Sequence, residues 1–273
     1  MRASKGLRTK VKGWRKISTA TWGPPNDPQI YGDIEVDATN LLAFIDDARS
    51  AGHHVTVTHV VGKGIAYALA DHPELNVRLY RGSFVRRDSV DIFFIVSAEE
   101  GEELSGVKIE HADTKPVVEI AEELARRAAP IRAGTDAELG KTKSVLARTP
   151  LRALGGLMRF AAWATTDRQM NMPARGLPRE PFGSAMITSV GMFGIQHAYA
   201  PLSPFYRIPF LVLVGEVAPK PVVVDGAVVV RPVLSLTATL DHRYVDGFHA
   251  ARVARPLRDY LEDPKRFEPP FTL

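Results

Sequence analysis

Residues 240–247 read Leu240-Asp241-His242-Arg243-Tyr244-Val245-Asp246-Gly247, and the flanks of this segment say what kind of structure carries it. Upstream, Leu234, Leu236, Ala238 and Leu240 alternate with Ser235, Thr237, Thr239 and Asp241. A period of two predicts a half-buried strand. His242 falls in phase with the apolar set, so a strand that runs on turns its imidazole inward at the end. Four residues later Asp246-Gly247 opens a helical pattern through Phe248, Val253, Leu257, Tyr260 and Leu261. An imidazole at a strand end, followed by a carboxylate at a helix start, is a plausible setting for a general base. The plainer alternative is a core histidine and an Asp N-cap.

Further segments shift the weight toward chemistry. His242-Arg243-x-x-Asp246-Gly247 after a Thr-rich strand resembles the active-site signature of the dihydrolipoyl acyltransferase cores of 2-oxoacid dehydrogenase complexes, and chloramphenicol acetyltransferase has the same His-x-x-x-Asp-Gly spacing. Trp14-Arg15-Lys16 resembles the basic start of that domain. Tyr31 to Leu42 looks like its first strand and helix entry, and Lys63 to Asn76 is similar to its helix with a Pro-x-x-Asn exit. Met186-Ile187-Thr188-Ser189-Val190-Gly191-Met192-Phe193-Gly194 resembles its Thr-Ile-Ser-Asn-Leu-Gly-Met-Phe-Gly segment. The resemblance covers most of residues 14–264, with a gap at about 135–182.

Composition bounds the reading. The 273 residues are 45% hydrophobic and 24% charged, ordinary for a globular protein able to bury a sizeable core. There is no cysteine, which excludes disulfides, thiolate metal sites and an enzyme thioester. No apolar run reaches the ~18 residues of a membrane span, and the basic N-terminus lacks the apolar stretch of a secretory signal, so a cytoplasmic protein is expected. Arg2, Lys5, Arg8, Lys10, Lys12, Arg15 and Lys16 precede the first acidic residue, Asp27. Residues 1–13 read as a basic arm; with no nucleic-acid module beside it, nucleic acid is not an expected partner.

The patterns predict strands at 29–36, 77–80, 90–96 and 211–217, the third nearly all apolar and so central. They predict helices at 38–49 capped by Asp37, at 57–70, at 115–132 and at 247–261. Asp225-Gly226 between two valine runs predicts a hairpin with a type I′ turn. The expected fold is α/β, a two-layer α+β arrangement with a chloramphenicol acetyltransferase-like mixed sheet covered by helices, in a single domain over residues 1–273. Residues 135–182 form an inserted helical segment. Within it Thr149-Pro150 makes a helix start, and Leu151, Leu154, Leu157, Met158, Ala161 and Ala162 make an apolar face, with Arg152 and Arg159 seven residues apart. A lid, a subunit contact, a membrane-surface helix and a helix packed on its own domain all stay open.

Acyl transfer from a thioester to a thiol needs a base, an oxyanion donor and correct alignment. The resemblance implies a CoA-dependent acyltransferase, with coenzyme A or acyl-CoA as substrate and direct transfer in a ternary complex. It implies His242 as base and a hydroxyl donor to the oxyanion. The family's serine falls on Thr188, with Ser189 in place of the asparagine, so both are candidates. It further implies an ion pair between Asp246 and Arg15 that holds the loop bearing His242. A homotrimer, in some members a larger cage, is implied as well, with sites between subunits. No lipoyl-attachment motif is present, so no lipoyl group is expected on these residues, and the acceptor stays open among free dihydrolipoamide, a lipoyl-bearing protein acting in trans and an unrelated alcohol or amine. A trimeric or cage-forming scaffold without catalytic activity is the rival. His53, His54 and His59 read as surface histidines at a turn and helix start, so no metal is expected, and Gly62-Lys63-Gly64 lacks the spacing of a phosphate loop.

Overall fold

The computed structural model describes residues 28–98, 103–134, 150–173, 177–203 and 205–271. Strands β1 (Gln29–Asp37), β4 (Ile92–Ala98), β5 (Glu103–Ile109), β6 (Ala185–Ser189), β7 (Phe210–Val224) and β8 (Ala227–Asp241) form one mixed sheet in the order β1-β8-β7-β6-β4-β5. β6 runs parallel to β4 and β7, and the other pairings are antiparallel. β2 (Val77–Tyr80) and β3 (Ser83–Arg86) make a separate hairpin. Helices α1 (Thr39–Ser50), α2 (Val57–Asp71), α3 (Val117–Arg132) and α5 (Gly247–Glu262) share one core with the sheet residues Phe94, Ile187, Val212, Leu236 and Leu240. The expected mixed sheet covered by helices is present, and β4 is internal, as its apolar run predicts.

Local chemistry sets the boundaries. The carboxylate of Asp37 accepts the Thr39 N–H at 2.9 Å, satisfying a donor that the first turn of α1 leaves free. Asp225 and Gly226 take φ of +50° and +80°, the two positive values a type I′ turn requires. Opposite Ser235, β7 places both Gly215 and Glu216, a bulge that bends the long hairpin. Near the other end of the chain, buried Glu268 accepts the Val117 N–H and the Tyr260 hydroxyl, each at 2.7 Å, tying the starts of α3 and the last segment to α5.

Two sequence expectations change. β8 is not half-buried: Ser235, Thr237, Thr239 and Asp241 are buried along with the leucines on its other face. Residues 196–203 cross that polar face, where the Thr237 hydroxyl donates to the Ala198 carbonyl and Gln29 exchanges two hydrogen bonds with the backbone of Leu202. The hydroxyls of Ser235 and Thr237 are thus paired with protein rather than water, while the buried Thr239 hydroxyl finds no hydrogen-bond partner among the described residues. The short strands β3 and β5 are additions to the predicted set.

Helix α4 (Leu151–Ala162) starts at the predicted place and runs into a π-helical turn at Trp163–Asp167. The segment that follows is held to the domain. Arg87 pairs with Glu180 at 2.9 Å, Gln169 donates to the same carboxylate at 2.8 Å, and Arg207 reaches Asp167 at 3.4 Å. The helix itself is not packed against the domain in this way. Ala153, Gly155, Gly156, Leu157, Arg159 and Phe160 are exposed, and burial begins at Ala162.

Candidate active site

His242 lies just beyond β8, which ends at Asp241. The His242 N–H donates to the Pro28 carbonyl at 2.7 Å, and the Tyr244 and Val245 N–H groups both return to the Asp241 carbonyl. The chain therefore turns before His242 can follow the strand inward. Its imidazole is exposed on the surface of the single chain, a correction to the inward orientation that the period-two phase predicts. The ring is nonetheless oriented. Nδ1 lies 3.1 Å from the Val245 carbonyl oxygen, and a carbonyl can only accept. The proton of the neutral imidazole is therefore on Nδ1, which leaves the lone pair that a base requires on Nε2 of an exposed residue.

The turn has its own clamp. Arg243 grips the buried Asp241 carboxylate through Nε at 2.9 and 3.1 Å and through its terminal nitrogen, and its backbone N–H donates to the same carboxylate at 3.0 Å. A bidentate guanidinium–carboxylate pair of this kind fixes geometry as well as charge. Arg243 belongs to the quoted signature, but its grip on Asp241 is not legible there, because an Asp and an Arg two positions apart read as ordinary surface charge. Tyr244 adds a further hold: its hydroxyl accepts the Leu79 N–H at 3.2 Å, bracing the turn against the β2–β3 hairpin.

Asp246 is the N-cap of α5 and accepts the His249 N–H at 3.0 Å. The His249 ring lies 2.7 Å from the same oxygen. The backbone donor first, and the ring after it, hold the Asp246 carboxyl below the usual carboxylate range. The N-cap alternative for Asp246 is thus present in full. Arg15, the partner implied by resemblance, lies outside the described residues, as do Trp14 and Lys16.

Thr188 and Ser189 sit at the C-terminal end of β6, both half-buried. Alternation puts them on opposite faces. Ile187 belongs to the helix-covered core and Met186 to the smaller cluster under residues 196–208, so Thr188 shares the latter face and Ser189 the former. Thr188 pairs across the sheet with Leu213, and Leu213 with Thr237. His242 is five residues beyond Thr237 and two strands away, which at ~3.3 Å per residue and ~4.8 Å per strand is a separation of roughly 19 Å. Within one chain the structure does not bring the proposed base and the proposed oxyanion donors together. They occupy opposite ends of the sheet.

The remaining histidines follow the structural reading, with one change. His53 pairs with Glu122 at 3.4 Å. His59 is half-buried at the start of α2, and this burial, with the charge of Arg132 adding to it, lowers its pKa to about 4. Among the described residues no cluster of three or more His, Cys, Asp or Glu side chains is placed to hold a metal ion.

The sequence model for the catalytic domain of the 2-oxoacid dehydrogenases acyltransferases matches residues 18–139 and 181–268. The chain belongs to this acyltransferase family. The second block contains Thr188, Ser189, His242 and Asp246, Arg15 precedes the first, and residues 140–180, which include α4, fall between the two. Over 269 residues this family member is 28% identical to the dihydrolipoyllysine-residue acetyltransferase component of the pyruvate dehydrogenase complex of Bacillus subtilis (strain 168), covering 94% of the chain and 50% of the relative. A probable dihydrolipoamide acetyltransferase from Listeria monocytogenes 4b F2365 superposes with a TM-score of 0.66 at 19% identity, covering 99% of each chain. The cubic core of the pyruvate dehydrogenase multienzyme complex gives 0.63 at 23% identity, over 88% of this chain and 84% of the other. These superpositions establish the acyltransferase-core fold. The chain spans about half the length of the curated relatives it matches.

Proposed function

We propose that this acyltransferase family member moves an acyl group between coenzyme A and a dihydrolipoyl-type thiol, in a site assembled from two copies of the chain. The observation that carries this reading is an exposed His242 whose Nδ1 is committed to the Val245 carbonyl, leaving Nε2 to accept a proton. A scaffold has no chemical use for such a ring, so the catalytic reading is preferred. The incoming thiol gives its proton to Nε2 as its sulfur attacks the thioester carbonyl carbon. A hydroxyl of Thr188 or Ser189 from the neighbouring copy donates to the oxyanion. Collapse breaks the original carbon–sulfur bond, and the departing thiolate takes the proton back from the imidazolium.

The ~19 Å between His242 and Thr188 in one chain supports a shared site, since neither end alone holds base and donor. The likeness to a cubic multienzyme core supports assembly into a closed symmetric oligomer, which we infer to be built from trimers. The lipoyl-bearing substrate is inferred to come from another domain or chain. The test is complementation. His242→Ala and the double variant Thr188→Val, Ser189→Ala are each assayed for thiol release from an acyl-CoA panel, then co-expressed with different tags and purified as hybrids. Each alone should be inactive, and in the hybrid about a quarter of the sites pair an intact base with an intact donor. Hybrids as dead as their parents would overturn the shared site. Full turnover by His242→Ala would overturn the base.

A further inference from the structure

From the geometry of α4 we infer a second interaction surface, for an anionic lipid bilayer, independent of the acyl-transfer site. Leu157, Phe160 and Trp163 are 39%, 57% and 42% exposed, an unusual concentration of large apolar surface on one helix. At 100° per residue they lie on one continuous face, with Arg159 at its margin beside Trp163. Phe160 and Trp163 stand together with ring centroids 5.7 Å apart, and the Arg168 guanidinium lies 5.9 Å over the Trp163 ring. The ion pairs of Asp167 and Glu180 hold the segment after the helix while the helix itself stands clear.

Charge selects the occupant. Between Glu138 and Asp167 the sequence holds Lys141, Lys143, Arg148, Arg152 and Arg159 and no acidic residue. Two such segments from neighbouring copies would repel, which argues against a helix-to-helix contact between copies. An anionic membrane surface offers both things the helix lacks, an apolar layer for leucine, phenylalanine and tryptophan and phosphates for the arginines. No helix among the described residues is long and apolar enough to cross a membrane, so the contact is peripheral.

The test uses the full chain with sedimented vesicles of phosphatidylcholine alone and of phosphatidylcholine with phosphatidylglycerol. Wild type should pellet with the anionic vesicles and stay in solution with the neutral ones. Leu157→Glu combined with Phe160→Glu, and separately Trp163→Ala, should lower that partition about tenfold or more while thiol-release activity and thermal midpoint stay at wild-type values. These side chains are exposed, so folding is not at stake, and activity is read separately so that failure of the acyl-transfer reading leaves this test intact. Wild type remaining in solution with both vesicles would overturn the inference, as would variants that pellet as well as wild type, which would trace binding to the basic residues alone. A smaller particle by light scattering for the variants, without vesicle binding by wild type, would assign the face to contacts between copies instead.

Discussion

Gly62 of α2 lies directly against the aromatic ring of Phe94 in β4, close enough that any side chain at 62 would occupy the space of the ring. Phe94 is itself fully buried and has nowhere to retreat. Gly64 repeats the arrangement on the next face, where a Cβ would come within 2.9 Å of Leu257 and Tyr260 of α5. The glycines of Gly62-Lys63-Gly64 thus serve packing between a helix, the sheet and a second helix. Gly62→Ala should destabilise the protein by about 1–3 kcal/mol through overpacking, more than the ~1 kcal/mol that alanine returns in helix propensity. Urea unfolding monitored by circular dichroism reads this directly, and an unchanged or raised midpoint would contradict the packing account.

His59 makes the fold sensitive to acid. Its Nδ1 accepts the Thr56 N–H at 3.2 Å, which requires an unprotonated ring. Burial and then Arg132 lower its pKa from 6.5 to about 4. Below 6.5 the unfolded chain binds a proton that the folded chain refuses, so this contribution is complete above pH 6.5 and is lost as pH falls toward 4. The full span is worth on the order of 2–3 kcal/mol. His59→Gln keeps an acceptor for the Thr56 N–H without a titrating ring. Its urea midpoint should fall less than that of wild type between pH 7 and pH 5, and an equal fall would remove His59 as the source.

The tautomer of His242 can be observed without any substrate. Nitrogen-15 spectra of the imidazole at neutral pH should place the proton on Nδ1, as its contact with the Val245 carbonyl requires. A proton resident on Nε2 would mean that the ring is turned the wrong way for a base. In assays, His242→Ala should lower turnover by about 10²- to 10⁴-fold with an unchanged thermal midpoint.

Asp241 is predicted to act on His242 by holding the turn. Asp241→Asn removes half of the bidentate clamp on Arg243 while leaving the strand intact. The expected signature is a lower kcat with little change in KM for coenzyme A, because the base is displaced and the substrate surfaces are untouched. A wild-type kcat would show that the turn keeps its shape without the clamp.

Asp246→Asn and Asp246→Ala separate capping from ion pairing. Asparagine caps as well as aspartate does, so the first variant should retain the thermal midpoint, while the second loses the bond to the His249 N–H and melts earlier. If an ion pair with Arg15 holds the catalytic loop, the asparagine protein folds normally and still loses activity. Full activity in that protein would leave Asp246 with the cap alone.

Much of this was readable beforehand, and the exceptions share a cause. Strand and helix limits follow local signals such as Asp37, Asp225-Gly226 and the period of α5, so they emerge close to the predicted positions. β5 is missed because Glu103, Ser105, Gly106 and Lys108 interrupt any apolar rhythm; Gly106 is there because the Phe93 ring crosses its position. Surface exposure of His242 is missed because a turn cancels the phase on which the inward reading rests. The candidate site residues are legible as motifs, but their separation is not. Strand order decides it, and nothing local to Thr188 or His242 encodes which ends of the sheet they reach.

The covered polar face of β8 also constrains how this strand can drift. Valine matches threonine in shape and suits a buried strand, yet at the buried position 237 it would take away the hydroxyl that the Ala198 carbonyl of the crossing segment accepts from. Hydrophobic replacement, the easiest path for most interior positions, is therefore disfavoured here, and the second half of the strand keeps the alternating signature of an exposed one while both of its faces are covered.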